Sequence, residues 1–257
     1  MYACAIYRRW VSAYKFRWTP ILTYPRRHLK LLDWMEANIQ PVAFADNNMR
    51  LGVAVVAKDM RVTINRSGLL VESGTSGLST DVLTPTIDGI LEILEPRETV
   101  MSYASVTAAD SLDGADYNEE RARLANRITG PGALLAGLRP VDASAVVDLQ
   151  SNETLTQVEW GIVSDTELLG RLQRPSVSRI EKPTEMDGGD VSHTLSVPGN
   201  ELPPVSVFTD VYVRRRQGGE VSDSRDIAAA ITDTNSQAKL VSDLLVAHFR
   251  ESRDGEW

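Results

Sequence analysis

Valine stands at nearly every second position from Val205 to Val213, with Thr209 breaking the alternation. A strand with one buried face requires that period. Further on, the period changes. Between Thr234 and Phe249 the residues Val241, Leu244, Leu245 and His248 recur at helical spacing and predict one apolar helix face. A strand followed by an amphipathic helix makes a sheet-on-helix unit, and the earlier chain repeats that logic.

The first eighteen residues interleave aromatics with cations: Tyr14, Phe16 and Trp18 alternate with Lys15 and Arg17. The spacing suits a strand or hairpin with a solvated basic face. Tyr24 to Ile39 reads as a helix, with Pro25 in its first turn and Leu29, Leu32, Met35 and Ile39 on its apolar side. Its cations Arg26, Arg27 and Lys30 sit at the end where the helix dipole disfavours them. A meander follows. Val42 to Ala45 is a short strand, Leu51 to Ala57 a strand apolar on both faces, and Lys58-Asp59 a turn. Met60, Val62 and Ile64 then alternate with polar residues, and Arg66-Ser67-Gly68 turns the chain into Leu69 to Val71. Thr84 is the expected cap of a helix beginning at Pro85, with Ile87, Ile90, Leu91 and Leu94 as its stripe.

A second half opens near Thr99. It reads as a strand over Val100 to Val106, then a helix capped by Asp116 with Glu119 three places on. Strands are expected over Val141 to Leu149 and Thr156 to Ile162, and a short helix from Asp165. Arg174 to Glu201 is rich in Pro, Gly, Ser and charge, with an edge strand at Val191 to Val197. The fold class is therefore α+β with largely antiparallel strands, in two halves spanning 1–96 and 97–257. Their similar element order suggests an internal duplication without residue-level identity.

Composition sharpens this reading. The chain has 257 residues, 42% of them hydrophobic, which suits a folded globular protein. Cys4 is the only cysteine, so no internal disulfide or cysteine-rich zinc site forms. With no membrane-length apolar run and no secretory leader pattern, a cytoplasmic location is expected. The net charge is −8, yet Met1 to Asp33 carries seven basic residues and a single acid, Asp33 itself. The body beyond is strongly acidic and disfavours broad nucleic-acid contact. Arginine-rich composition with frequent Ala, Val and Asp fits a GC-rich bacterium or its phage.

The search for chemistry returns little. Gly74-Thr75-Ser76-Gly77 lacks the Lys-Ser/Thr of a phosphate loop, and no nucleophile elbow or dinucleotide fingerprint occurs. Asp187, Asp190 and His193, near Glu185, are weak metal-ligand candidates in a glycine-containing loop. The acids Asp110, Asp113, Asp116, Glu119 and Glu120 gather where helix capping favours them. His248 reads as a half-buried core residue. No cofactor is implied, and no motif is specific enough to carry a family resemblance.

The expectation is a non-catalytic interaction protein, a subunit or accessory factor of a bacterial or phage assembly, with protein partners or a second copy of itself. Its expected binding surfaces are Arg8, Arg9, Trp10, Lys15, Arg17 and Trp18 near the N-terminus, and Arg214, Arg215 and Arg216 after the last strand. The N-terminal mixture also suits single-stranded nucleic acid or a membrane interface. Two other functions compete: a small-molecule pocket lined by Trp160, Phe208 and Tyr212, and a carboxylate- or metal-dependent hydrolase.

Overall fold

The structure is a computed structural model. It describes residues 8–40, 43–47, 50–55, 60–73, 80–112, 114–129, 144–150, 154–173, 202–215 and 224–254. The described residues form five helices and nine strands. In chain order these are β1 (Arg8–Arg17), α1 (Tyr24–Asn38), β2 (Ala43–Asn47), β3 (Arg50–Val55), β4 (Met60–Asn65), β5 (Gly68–Ser73) and α2 (Thr80–Leu94). There follow β6 (Val100–Ser111), α3 (Tyr117–Thr129), β7 (Ser144–Gln150), β8 (Thr154–Ser164), α4 (Asp165–Gln173), β9 (Val205–Arg215) and α5 (Ser224–Asp254).

All nine strands join one antiparallel sheet, in the order β2-β3-β4-β5-β1-β6-β9-β8-β7. The first described strand, β1, is the middle strand of the sheet. Counted outward, one side reads β1, β5, β4, β3, β2 and the other β6, β9, β8, β7. Each side starts at the midline, passes through a helix to its own edge and works back inward. The sides differ by one strand and by α4, so the shared order does not establish a duplicated unit.

Helices α1, α2, α3 and α5 cover one face. Under them lie Tyr14, Phe16, Leu51, Val53, Val62, Ile64, Leu69 and Val71, all between 0% and 1% exposed. Each such fully buried apolar side chain contributes roughly 1.5–3 kcal/mol. The same face continues through Val106, Val158, Val211 and Val213 under α5, and through Ile162 and Val207 under α3. Trp160 packs against both of these last clusters. Tyr14 Oη donates to Asn235 Oδ1 at 2.5 Å, fastening the middle strand to the last helix. On the opposite face, α4 packs Leu168 against Ala109, Val163 and Phe208.

Several element details differ from the sequence reading. In α1 the inward residues are Tyr24, His28, Leu31 and Met35, whereas Leu29 is 66% exposed. With leucine at 29, 31 and 32, the apolar pattern fits more than one helix phase. Tyr24 decides it: its hydroxyl donates to Ile64 O at 3.4 Å, and its ring meets His28 edge-on. Helix α2 begins at Thr80, so Thr84 and Pro85 lie inside it rather than starting it. The proline removes one backbone donor there, and the helix continues past it. Helix α5 begins ten residues before Thr234 and turns Ala230, Ile231, Thr234, Ala238, Ser242 and Val246 inward. These small side chains let the helix lie close on the sheet. Leu244 is 63% exposed, and His248 is exposed rather than half-buried.

Asp116 caps α3 as its sequence position predicts. Its Oδ1 accepts from the N–H groups of Asn118 (2.9 Å) and Glu119 (3.0 Å). Glu120 pairs with Arg123 at 3.0 Å. The acids here are explained by helix chemistry without a reaction.

Candidate functional site

Lys15 and Trp18 were expected on a binding surface, but both are buried, at 1% and 5% exposure. For Lys15 the physical reason is the position of β1 between β5 and β6; Trp18, just past the strand, packs into the main core and donates to Arg66 O. The β1 aromatics Tyr14 and Phe16 point under the helices, while Ala13 and Lys15 point to the other face. The aromatic–cation alternation therefore marks the two faces of an inner strand. It does not leave Tyr14, Phe16 and Trp18 available for stacking.

The remaining expected surface residues divide between two ends of the sheet. Strands β1 and β9 are both antiparallel to β6, so they run in the same direction. Arg17 closes β1, and Arg214 and Arg215 close β9, all at the same end. Arg8, Arg9 and Trp10 begin β1 at the opposite end. Arg216 lies outside the described residues, as do Asp187, Asp190, His193, Glu185 and the strand expected at 191–197. Among the described residues, no group of three or more His, Cys, Asp or Glu side chains is arranged to hold a metal ion.

Charged groups do gather on the face opposite the four helices. Glu72 and Arg61 are ladder partners on β5 and β4 and form a two-pronged pair, Nε to Oε2 at 2.6 Å and a second nitrogen to Oε1 at 2.7 Å. Burial alone would lower the Arg61 pKa, but the hydrogen bonds and charge of Glu72 raise it above its ordinary value. Farther along the same face Glu159 and Asp210 are ladder partners on β8 and β9. Arg171 of α4 reaches both, at 2.9 and 3.8 Å, with its guanidinium 3.6 Å over the Phe208 ring. Glu72 has Arg61 to itself, while Glu159 and Asp210 share Arg171. These groups hold strands and α4 together.

The expected apolar pocket is not assembled. Trp160 pairs with Thr209, which places it on the face opposite Phe208. Tyr212 shares the face of Phe208 but stands four residues along the strand. No single pocket is walled by all three. His28 is buried on α1 with Nε2 2.9 Å from Asp46 Oδ1, a contact between α1 and edge strand β2.

The feature that sequence reading missed is the edge strand β7. It was expected as a strand, but its outer position was not legible. Its sequence is Ser-Ala-Val-Val-Asp-Leu-Gln, and exposure rises from Val146 onward. Val146, Val147 and Leu149 are 55%, 38% and 49% exposed. Val147 and Leu149 flank the helix-covered face, being paired with Val158 and Thr156, while Val146 is on the other face beside Glu159. Edge strands are usually guarded by Lys, Pro or a bulge. This one carries only Asp148, whose carboxylate accepts from Gln157 at 2.8 Å.

No family model matches the chain, and no curated protein sequence matches it. Among solved structures, the chain is similar to a rolling circle replication initiator protein from Geobacillus stearothermophilus. The identity is 11% and the TM-score 0.33, covering 88% of this chain and 80% of that one. A likeness this loose carries no argument about function.

Proposed function

We propose that the protein is a non-catalytic interaction protein, a subunit or accessory factor of a bacterial or phage assembly, that takes a protein partner onto the open edge of β7. The observation that carries this is the strand itself: at the end of the sheet, unpaired on its outer side among the described residues, with apolar side chains exposed on both faces. An added strand satisfies the free backbone groups of such an edge, and side chains at alternate positions select the partner. The pairs Arg61–Glu72 and Arg171–Glu159 support the same reading, because these charges are spent on holding the sheet together. A cytoplasmic location fits this role.

The test compares the wild type with Val147→Lys, which guards the edge and leaves the inward pairing surface of β7 unchanged. Each is used to retrieve partners from the native host, and each is sized by chromatography with light scattering. The expected result is a defined partner, re-forming a complex from purified components with the wild type and not with V147K. Equal complex formation by both proteins, or a wild type that stays alone at every concentration, would overturn the proposal.

A further inference from the structure

One corner of the molecule gathers cations that are far apart in sequence. Arg17 ends β1 in register with Gly68 and Val100. The chain then crosses the end of the sheet. Thr19 N–H donates to Arg97 O at 3.1 Å, and Ile21 N–H and Trp18 Nε1–H donate to Arg66 O at 2.8 and 3.1 Å. These bonds hold the backbones of Arg66 and Arg97 beside residues 18–21, and both side chains are exposed. Helix α1 starts immediately afterwards and adds exposed Arg26 and Lys30. Arg26, Lys30, Arg66 and Arg97 make no ion pair among the described residues. Three acids border the corner: Glu95 pairs with Arg27 at 2.8 Å, Glu98 accepts from the Thr19 hydroxyl at 2.7 Å, and exposed Asp33 follows Lys30 by one helical turn. Against Arg17, Arg26, Arg27, Lys30, Arg66 and Arg97 they leave the corner net positive.

Apolar groups stand among these cations. Leu22 is 92% and Leu29 66% exposed, the two most exposed large hydrophobic residues among those described. Leu22 stands just before Thr23, the N-cap of α1, and Leu29 lies between Arg26 and Lys30 on the helix's outer side. Leucines ringed by cations match the chemistry of an anionic lipid surface: the leucines enter the headgroup layer and the cations meet lipid phosphates and carboxylates. Single-stranded nucleic acid would need open aromatic faces for stacking, and Tyr14, Phe16 and Trp18 are buried. An acidic peptide would use the arginines but leave the leucines without a role. The chain's net charge of −8 does not forbid lipid contact. Charges beyond about 8–10 Å are largely screened at physiological salt, so the local balance of the corner governs.

We propose that this corner rests the protein on an anionic membrane surface as a peripheral contact. This surface is separate from the β7 edge.

Co-sedimentation with vesicles tests it, using phosphatidylcholine alone against phosphatidylcholine with about one-third phosphatidylserine. The wild type is expected to bind only the anionic vesicles and to dissociate as salt is raised. R66Q/R97Q is expected to bind roughly 25-fold more weakly, about fivefold per charge removed. The Arg66 and Arg97 contacts described above use their carbonyl oxygens, so these substitutions leave the fold intact, and circular dichroism melting checks this. L22S is expected to weaken binding without changing its salt dependence. Failure of the wild type to sediment with anionic vesicles at low salt overturns the proposal. So does unchanged binding by R66Q/R97Q. So, too, does binding to a single-stranded oligonucleotide, with no vesicle binding, that R66Q/R97Q abolishes.

Discussion

Gly89 on α2 lies directly against the indole of Trp34 on α1. A Cβ built on Gly89 would stand 2.0 Å from Trp34 Cζ2 and within 2.7 Å of two further ring carbons. The glycine is there so that the two helices can meet around a tryptophan. Gly89→Ala gains up to about 1 kcal/mol of helix propensity. It also forces the ring aside, and overpacking of this kind costs about 1–3 kcal/mol. The expected net effect is a lower denaturation midpoint with a changed tryptophan emission. A stabilised variant with unchanged emission would show that the indole has room to move.

Arg61 and Glu72 make a second, sharper case. The Glu72 side chain is 3% exposed and that of Arg61 15%. Removing one partner of a buried pair leaves a charge without compensation, which costs about 3–5 kcal/mol. Glu72→Ala is therefore expected to be severely destabilising. The double variant R61M/E72L, which replaces both by apolar groups of similar volume, is expected to lie close to the wild type. Urea titration of the wild type, R61M, E72L and R61M/E72L measures the coupling. Additive losses would mean that the pair holds nothing together.

Stability is expected to fall at both ends of the pH scale, for different residues. Burial raises the Tyr14 pKa above its ordinary 10.0, and burial together with the charge of Asp46 raises that of Tyr24. Their neutral forms stabilise the fold below pH 10.0, and this contribution is lost as pH rises beyond it. Glu167 behaves oppositely. Burial would raise its pKa, but hydrogen bonds from Ser164 and Tyr117 and the charge of Arg121 bring it below 4.5. Its contribution is present above pH 4.5 and is lost as pH falls through the lowered value. Melting temperature against pH checks both limbs. Y24F should flatten the alkaline limb and E167Q the acid one, and unchanged slopes would remove these assignments.

The sequence carried the elements better than their arrangement. Alternation at Val205 to Val213 and Met60 to Ile64 became β9 and β4, and Asp116 became a cap, because these signals are local. Strand order is not local. Nothing within residues 8–17 states that their partners are residues 68–73 and 100–111. Lys15 therefore read as a surface cation, although it sits on the middle strand. Helix phase failed for a related reason. In α1 and α5 the inward side is chosen by tertiary contacts such as Tyr24 with Ile64 and Tyr14 with Asn235. The basic corner was half legible, in Arg26 and Lys30, but Arg66 and Arg97 join it only through backbone bonds across the sheet end.

The central place of β1 also bears on how the chain is made. The strand is made before both of its neighbours, which are completed only at Ser73 and Ser111. Until then a newborn chain carries an inner strand with both of its hydrogen-bonding borders bare. Synthesis must shelter residues 8–17 until residue 111 has been added, and a cut that removes them would split one broad sheet into two fragments.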